Sequence, residues 1–400
     1  MCQAFKSVGF KFLSILDILE FATKLNYVGG VVVLITKFNP LFYTNFMLRF
    51  KSTSDFQKEV RKRVRTYLKE EGKSGMADYR YFLKAFLNMA MYLVPFILFL
   101  TGYTSFWMTT LLWTVTGLGM AGVGMNVMHD AIHNNVTKSE WVNRKIGAVI
   151  YMLCGNSYTW KVQHNIKHHT HTNIDGHDDD IDTGSLFRFH PSQERKSHHR
   201  FQHIYAPFTY TLMTWKWLLE KDFTQVVKYN KSELFKAKDQ SLASVWTKLI
   251  VGKGFHMSLF YILPIALGIP WYMVLWGNMV MHLVAGFILS LTFQLAHVVD
   301  KADFPTEDEA QERSLLEHQL KTTANFSTKN KLVTWYTGGL NFQVEHHMFP
   351  TVNHIHYPKI ADIVRKTAEE FKLPYNEYGT TLEAIRGHFA HLKHMGRAMA

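Results

Sequence analysis

The sequence predicts an all-α, polytopic membrane protein with four transmembrane helices in two hairpins and a helical cap carrying clustered histidines. Three observations carry this expectation. Two long stretches lack every Asp, Glu, Lys and Arg, each is divided by a turn signal near its middle, and histidines gather where the stretches end.

A helix needs about 20 apolar residues to cross roughly 30 Å of hydrocarbon. The stretches Ala85–Met128 and Gly254–Ala296 are each long enough for two such crossings, the second interrupted only by His256 and His282. Thr101-Gly102-Tyr103-Thr104-Ser105 divides the first and Gly268-Ile269-Pro270 the second, which puts Gly and Pro where a tight hairpin needs them. The expected spans are therefore 84–101, 107–128, 254–269 and 272–293. The competing arrangement buries two uncharged segments in a large soluble domain. It requires such a run twice in a chain whose overall apolar fraction is an ordinary 47%.

Charge sets the expected orientation. Arg61-Lys62-Arg63, Arg65, Lys138, Arg144 and Lys145 lie outside the hairpins, while the hairpin tips carry no charge. The positive-inside rule then puts both termini and both long polar segments in the cytoplasm. The formal net charge of +12 suits attraction to an anionic inner leaflet. No recognition element accompanies that charge, which argues against a nucleic-acid partner. Cys2 and Cys154 provide no disulfide framework and suit a reducing compartment.

Residues 1–46 form no clean span, because Lys11, Asp17, Glu20, Lys24 and Lys37 interrupt their apolar runs. They stay unassigned, either as an interfacial amphipathic segment or as an irregular extension, and they lack the pattern of a signal peptide. Ser54 or Asp55 is expected to cap a charged helix through Val60, Val64 and Leu68 that ends near Gly72 and lies on the membrane surface. Between the hairpins, Ile146 to Cys154 is apolar but too short to span, and reads as a re-entrant or buried helix. The acidic run Asp178-Asp179-Asp180 reads either as a solvated loop or as carboxylates standing behind histidines.

There are 22 histidines, and their placement points to a metal. His129 and His133 stand four apart where the second span ends, so both rings share one helix face. His164, His168 and His169 repeat that spacing with an adjacent ring. Consecutive helical residues point about 100° apart, so His168 and His169 can reach different ions. His297 follows the fourth span, and His346-His347 form a third group preceded by Gln343. In the expected topology all of these emerge on one side of the membrane. Eight imidazoles exceed the needs of one tetrahedral zinc and suit two ions with positions left open. Metal-bound imidazoles usually donate their second N–H to a protein acceptor, and Asp130, Asn134, Asn165, Asn173, Asn341 and Glu345 are near enough in sequence to serve.

These clusters resemble the three histidine boxes of the membrane fatty acid desaturases. His129-Asp130-Ala131-Ile132-His133 is similar to the first. Trp160 through His164-Asn165-Ile166-Lys167-His168-His169, followed by Asn173, is similar to the second. Gly338 through Gln343-Val344-Glu345-His346-His347-Met348-Phe349-Pro350 is similar to the third. Gln343 stands where that box usually has histidine, the form typical of the front-end branch, which inserts a double bond between an existing one and the carboxyl end. Phe293-Gln294-Leu295-Ala296-His297 is similar to the segment supplying a further histidine. His318-Gln319-Leu320 and His356-Tyr357-Pro358 also look family-like. The resemblance makes 47–370 the desaturase domain and leaves 371–400 as a cytoplasmic C-terminal tail.

The resemblance implies two iron ions, O2 as cosubstrate, and delta-5 or delta-6 type cis desaturation of an acyl lipid, acyl-CoA or acyl carrier protein. Its metal ligands would be His129, His133, His164, His168, His169, His297, His346 and His347. The neutral amide of Gln343 would bind metal weakly, hold a water or orient its neighbours. No His-Pro-Gly-Gly signature of a fused cytochrome b5 domain is present, so a separate ferredoxin or cytochrome b5-type donor is expected. Lys161, Lys167 and Arg188 are candidate head-group anchors, though each also satisfies the positive-inside rule. A sphingolipid long-chain-base desaturase or an acyl hydroxylase would use the same ligands and differ in product. A histidine-rich metal transporter would bury its ligands near mid-membrane, whereas these clusters sit at span ends.

Overall fold

Four helices long and apolar enough to cross a membrane dominate the computed structural model, which describes residues 48–51, 53–231 and 241–398. The expectation for residues 1–46 lies outside the described residues. In chain order the elements that position the site are α1 (Asp55–Glu70), α2 (Tyr79–Phe99), α3 (Phe106–Ile132), α4 (Glu140–Gly147), α5 (157–171), α6 (Gln202–Thr211), α7 (213–230), α8 (Leu242–Ala266), α9 (Trp271–His297), α10 (Leu315–Thr322), α11 (Gln343–Met348), α12 (Tyr357–Glu370) and α13 (Thr381–Arg397). Two short strands, β1 (Asn325–Phe326) and β2 (Glu377–Tyr378), pair in parallel.

The spans are α2, α3, α8 and α9. Asp78 caps α2 through Arg80 N, Ser105 caps α3 through Met108 N, and Ser241 caps α8 through Ser244 N. Both hairpins turn on a glycine in the left-handed region, Gly102 at φ 77° and Gly268 at φ 88°, where a side chain would be strained. Phe86, Ile97, Trp107, Leu111, Val251 and Ile262 are exposed along the spans. In water such a surface would be a liability; against lipid it is the required one.

Inside the bundle, small residues let the backbones approach, as is usual when lipid tails remove the hydrophobic drive between helices. A Cβ on Gly119 of α3 would collide with the backbone of Tyr92 on α2, and one on Gly117 would stand 2.8 Å from Met281 O on α9. Tyr92, Phe96, Trp113 and Phe260 fill the remaining space.

The spans are longer than expected at several ends. The α8 helix begins at Leu242 rather than 254 because it carries Lys253 inward, where the ammonium is 2.7 Å from Asp222 Oδ2 and 2.6 Å from Trp217 O. Neutralising that charge lets a lysine sit where a charge-free criterion excludes it. The α9 helix continues past 293 and delivers His297 on its last turn, and α3 continues through a π turn, Gly124–Met128, to carry His129.

One other expectation needs correction. The α1 helix has the expected cap and ends near Gly72, but its apolar stripe is not offered to a membrane surface. Phe56, Val60 and Val64 pack on Leu316 and Leu320 of α10 and on Ile360 and Val364 of α12. Residues 371–398 pack on the rest of the protein, since β2 pairs with β1 and α13 packs beside α6. His388 Nδ1 donates to Val298 O at 2.6 Å, and Tyr210 OH donates to His388 Nε2 at 2.8 Å. The segment from Ile146 to Cys154 is short and buried as expected, with Ile150, Leu153 and Cys154 in the bundle core.

Gly119→Val should lower the thermal midpoint of the detergent-solubilised protein, because the backbone of Tyr92 cannot yield as a side chain would; overpacking costs about 1–3 kcal/mol even where neighbours shift. Gly254→Ala, with no atom within 4 Å of the added carbon, should leave that midpoint unchanged.

Candidate metal centre

All eight predicted histidines converge. They come from α3 and its C-cap (His129, His133), α5 (His164, His168, His169), the end of α9 (His297) and α11 (His346, His347), and none is more than 8% exposed. One nitrogen from each of His129, His133, His164 and His346 lies within 4.8 Å of the others, and the same holds for His168, His297 and His347. His169 bridges the groups: its ring centroid is 4.7 Å from that of His133 and 4.2 Å from that of His347. The adjacent rings of His168 and His169 thus diverge as helical geometry requires.

Local backbone makes this possible. His164 and His168 lie on a π-helical stretch, Lys161–His168, and a second π turn immediately precedes His129. Such turns insert a residue into the helical repeat and re-aim the side chains that follow, which is why they mark functional sites.

Outer partners fix the rings. His168 Nδ1 is 3.0 Å from Asp178 Oδ2, and His347 Nδ1 donates to Gln319 Oε1 at 2.8 Å. The Tyr357 hydroxyl stands 3.1 Å from His346 Nδ1, and Asp130 Oδ1 is 3.4 Å from His129 Nδ1. Asp130 is itself held: His354 Nδ1 donates to its Oδ2 at 2.5 Å, and Lys84 Nζ donates to His354 Nε2 at 2.5 Å. Helix α2 supplies no histidine to the centre but reaches it through this chain.

With Nδ1 engaged, Nε2 of His129, His168, His346 and His347 is buried without a hydrogen-bond partner, as are both ring nitrogens of His297. A buried polar atom left unpaired costs about 1–3 kcal/mol. A set of imidazoles with one nitrogen fixed by protein and the other free is the donor set a metal requires. Burial first, then the neighbouring rings, holds His164, His169, His346 and His347 well below the usual histidine pKa, so their lone pairs are available. Burial acts the same way on His168, but the carboxylates of Asp178 and Asp180 overcome it and raise that pKa to about 9, a sign of strong support at Nδ1.

The predicted supporting residues divide. Asp130 contacts the His129 ring. Asn165 donates to Ile132 O at 3.1 Å and ties α5 to α3, while Asn173 donates to His297 O at 2.9 Å and Asn341 to Thr334 Oγ1 at 3.0 Å. These three steady the backbone around the centre. Asn134 adopts φ 57° and ends its helix turn. Glu345 faces away from the rings, toward Asn325 and Tyr375 at 2.8 and 2.9 Å, and burial lifts its pKa to about 7. Gln343 is buried with both amide atoms unpartnered, one helical turn from His346 and His347. The Asp178–Asp180 run is no solvated loop, since Asp178 is 1% exposed.

The structure gives partners to two of the three head-group candidates. The Arg188 guanidinium is spent on carbonyls: it donates to Gln193 O at 2.7 Å, Pro191 O at 2.6 Å, Met395 O at 2.8 Å and Ala398 O at 2.9 Å, so it clasps the end of α13. Lys167 is buried in an ion pair with Asp179. Lys161 is exposed and lies outside the cavity described next. Sequence reasoning assigned no role to Gln319, Tyr357, His354 or Lys84. The family-like motifs around the first two were the available signal.

A cavity of about 170 Å³ adjoins the rings, with His164, His168 and His297 at one part of its wall and Met120, Leu153, Met213 and Leu289 at another. Trp160 and Phe293 flank His164 with ring centroids 4.4 and 6.0 Å away. An apolar chain occupying this cavity would therefore meet the histidines.

Four apolar spans under a buried histidine centre beside an apolar cavity define a membrane oxidoreductase of the polyhistidine type. Comparison with known proteins gives the family. The fatty acid desaturase family model matches residues 105–379. The sn-1 linoleoyl-lipid 6-desaturase of Arthrospira platensis is 34% identical over 355 residues, covering 88% of this chain and 95% of that protein. The enzyme of the same name from Synechocystis is 31% identical, covering 88% and 98%. The acyl-lipid (8-3)-desaturase of Physcomitrium patens is 31% identical, covering 86% and 72%. The chain belongs to the fatty acid desaturase family.

Asp178→Asn should weaken metal retention about 10–100-fold in a chelator competition, the usual cost of losing an outer partner of a metal-bound imidazole. Unchanged retention would show that Asp178 does not support the centre.

Proposed function

We propose that this enzyme is a front-end acyl-lipid desaturase with a two-iron centre on the cytoplasmic side of the membrane. The observation that carries the reading is the pair of histidine groups, with buried lone pairs free, beside an apolar cavity. His129, His133, His164 and His346 would hold one iron, and His168, His297 and His347 the other. His169 completes the set between them, and Gln343 adds a weak donor on the same helix. The activities by which the relatives are named, linoleoyl-lipid 6-desaturase and acyl-lipid (8-3)-desaturase, favour an acyl lipid over acyl-CoA or acyl carrier protein. The basic segments outside the hairpins favour the cytoplasmic placement.

Iron with O2 supplies the oxidising power that removes one hydrogen from each of two adjacent methylenes. Two electrons from a ferredoxin or cytochrome b5-type carrier and two protons balance the reduction of O2 to two waters, leaving a cis double bond. The protein's share is positioning. The cavity between α3 and α9 straightens or bends the acyl chain and excludes bulk water, and Trp160 and Phe293 confine it beside His164. Asp178, Gln319, Tyr357 and Asp130 keep the imidazoles in one tautomer and one orientation throughout turnover.

Expression in a host supplied with linoleate, followed by mass-spectrometric location of double bonds, should give a new cis bond on the carboxyl side of the existing one. No new unsaturation with a competent electron donor present would count against the reading. His168→Ala should abolish that product while the protein still accumulates in the membrane. Metal analysis of the purified enzyme should approach two irons per chain; stoichiometric zinc in active enzyme would sink the two-iron assignment.

A further inference from the structure

The cavity wall contains polar groups that neither metal holding nor acyl-chain packing uses. Lys221 and Gln294 share it with His164, His168 and His297. Lys221 closes the π turn Trp217–Lys221 of α7, and Trp217 lines the same cavity, so this turn puts both residues on its wall. Its sequence neighbours are committed elsewhere: Lys216 pairs with Glu220 at 2.6 Å, and Asp222 with Lys253 at 2.7 Å. Among the described residues Lys221 has no ion pair. The other charged residue of the wall, Asp180, is taken by Gln163 and stands 3.5 Å from both His164 and His168. Gln294 lies one turn before His297 on α9, and its Oε1 is buried without a hydrogen-bond partner.

The cavity is therefore apolar over much of its wall, yet it carries an unneutralised cation and an unused carboxamide close to the histidines. A hydrocarbon tail has no use for these groups, but a carboxyl end does. We propose that Lys221 donates a hydrogen bond to the ester carbonyl oxygen of the bound acyl lipid, that Gln294 donates a second with its amide turned so that Nε2 faces the cavity, and that the two set which carbon–carbon bond lies beside the histidines.

This inference rests on the front-end reading. An enzyme that counts carbons from the carboxyl end needs its reference point only a few bonds from the reacting carbons, hence in the same cavity as the metal ligands. An enzyme counting from the methyl end would need no such group there. Lys161, Lys167 and Arg188 do not meet this requirement, being exposed, ion-paired and fully hydrogen-bonded respectively.

The test uses membranes containing the full chain and its electron donor. Wild type, Lys221→Met, Lys221→Arg and Gln294→Leu are compared on the same linoleoyl chain carried by a neutral glycolipid and by a phospholipid. Iron content, kcat, KM and double-bond position are measured. Loss of a charge-assisted hydrogen bond predicts a fall in kcat/KM of about 10–100-fold for Lys221→Met on both lipids. Iron content should be unchanged, and part of the product should carry its new bond at a shifted position. Lys221→Arg should keep the wild-type position. Wild-type kinetics and position in both Lys221→Met and Gln294→Leu overturn the proposal. Loss on the phospholipid alone overturns the carbonyl assignment in favour of a phosphate contact, and loss that follows iron content overturns it in favour of a structural role. A wild-type enzyme that makes no front-end product removes the underlying reading instead, so the two failures are distinguishable.

Discussion

Imidazole can be buried cheaply only when both ring nitrogens have partners, and here eight rings share one dry region of the protein. His129, His168, His346 and His347 each have Nδ1 held by the chain and Nε2 free for a ligand, and that double requirement organises much of the structure. It explains why α9 runs on to His297 and why π turns interrupt α3 and α5 just before or within the histidine runs. It explains why Asp178, Gln319, Tyr357 and Asp130 arrive from separate segments to meet individual Nδ1 atoms. The polar cap is less a covering for the bundle than a set of brackets for these rings.

The parts of this arrangement legible in the sequence were those with a local pattern. Charge-free runs broken by Gly102 and Gly268 gave both hairpins, because crossing a bilayer imposes the same composition on every residue of a span. Helical spacing gave the histidine groups, and the ends of the spans gave their common side. The true start of α8 was hidden because Lys253 is compensated by Asp222, thirty-one positions earlier in the chain, and a window that counts charges cannot see a partner.

What was not legible was pairing across the chain. Glu345 stands beside histidines in sequence yet faces elsewhere, whereas Gln319 and Tyr357 reach His347 and His346 from neighbouring helices. Lys84 acts on His129 only through His354, 270 positions away in the chain. The partners of Arg188 were hidden for a related reason. Its basic character was visible, but the carbonyls that absorb it belong to α13, whose docking no local pattern announces. Conversely, Lys221 is one lysine among many in the sequence, and only the cavity wall singles it out.

The order of these histidines along the chain bears on biogenesis. One pair precedes the first cap segment, three lie between the hairpins, one ends α9 and two follow it, so the ribosome releases them in four instalments. The centre cannot close until the second hairpin has been inserted and α11 has folded back beneath it. Metal loading is thus a late event that reports complete membrane insertion. A chain stalled after its first hairpin would carry His129 and His133 with none of the later rings they meet in the finished fold.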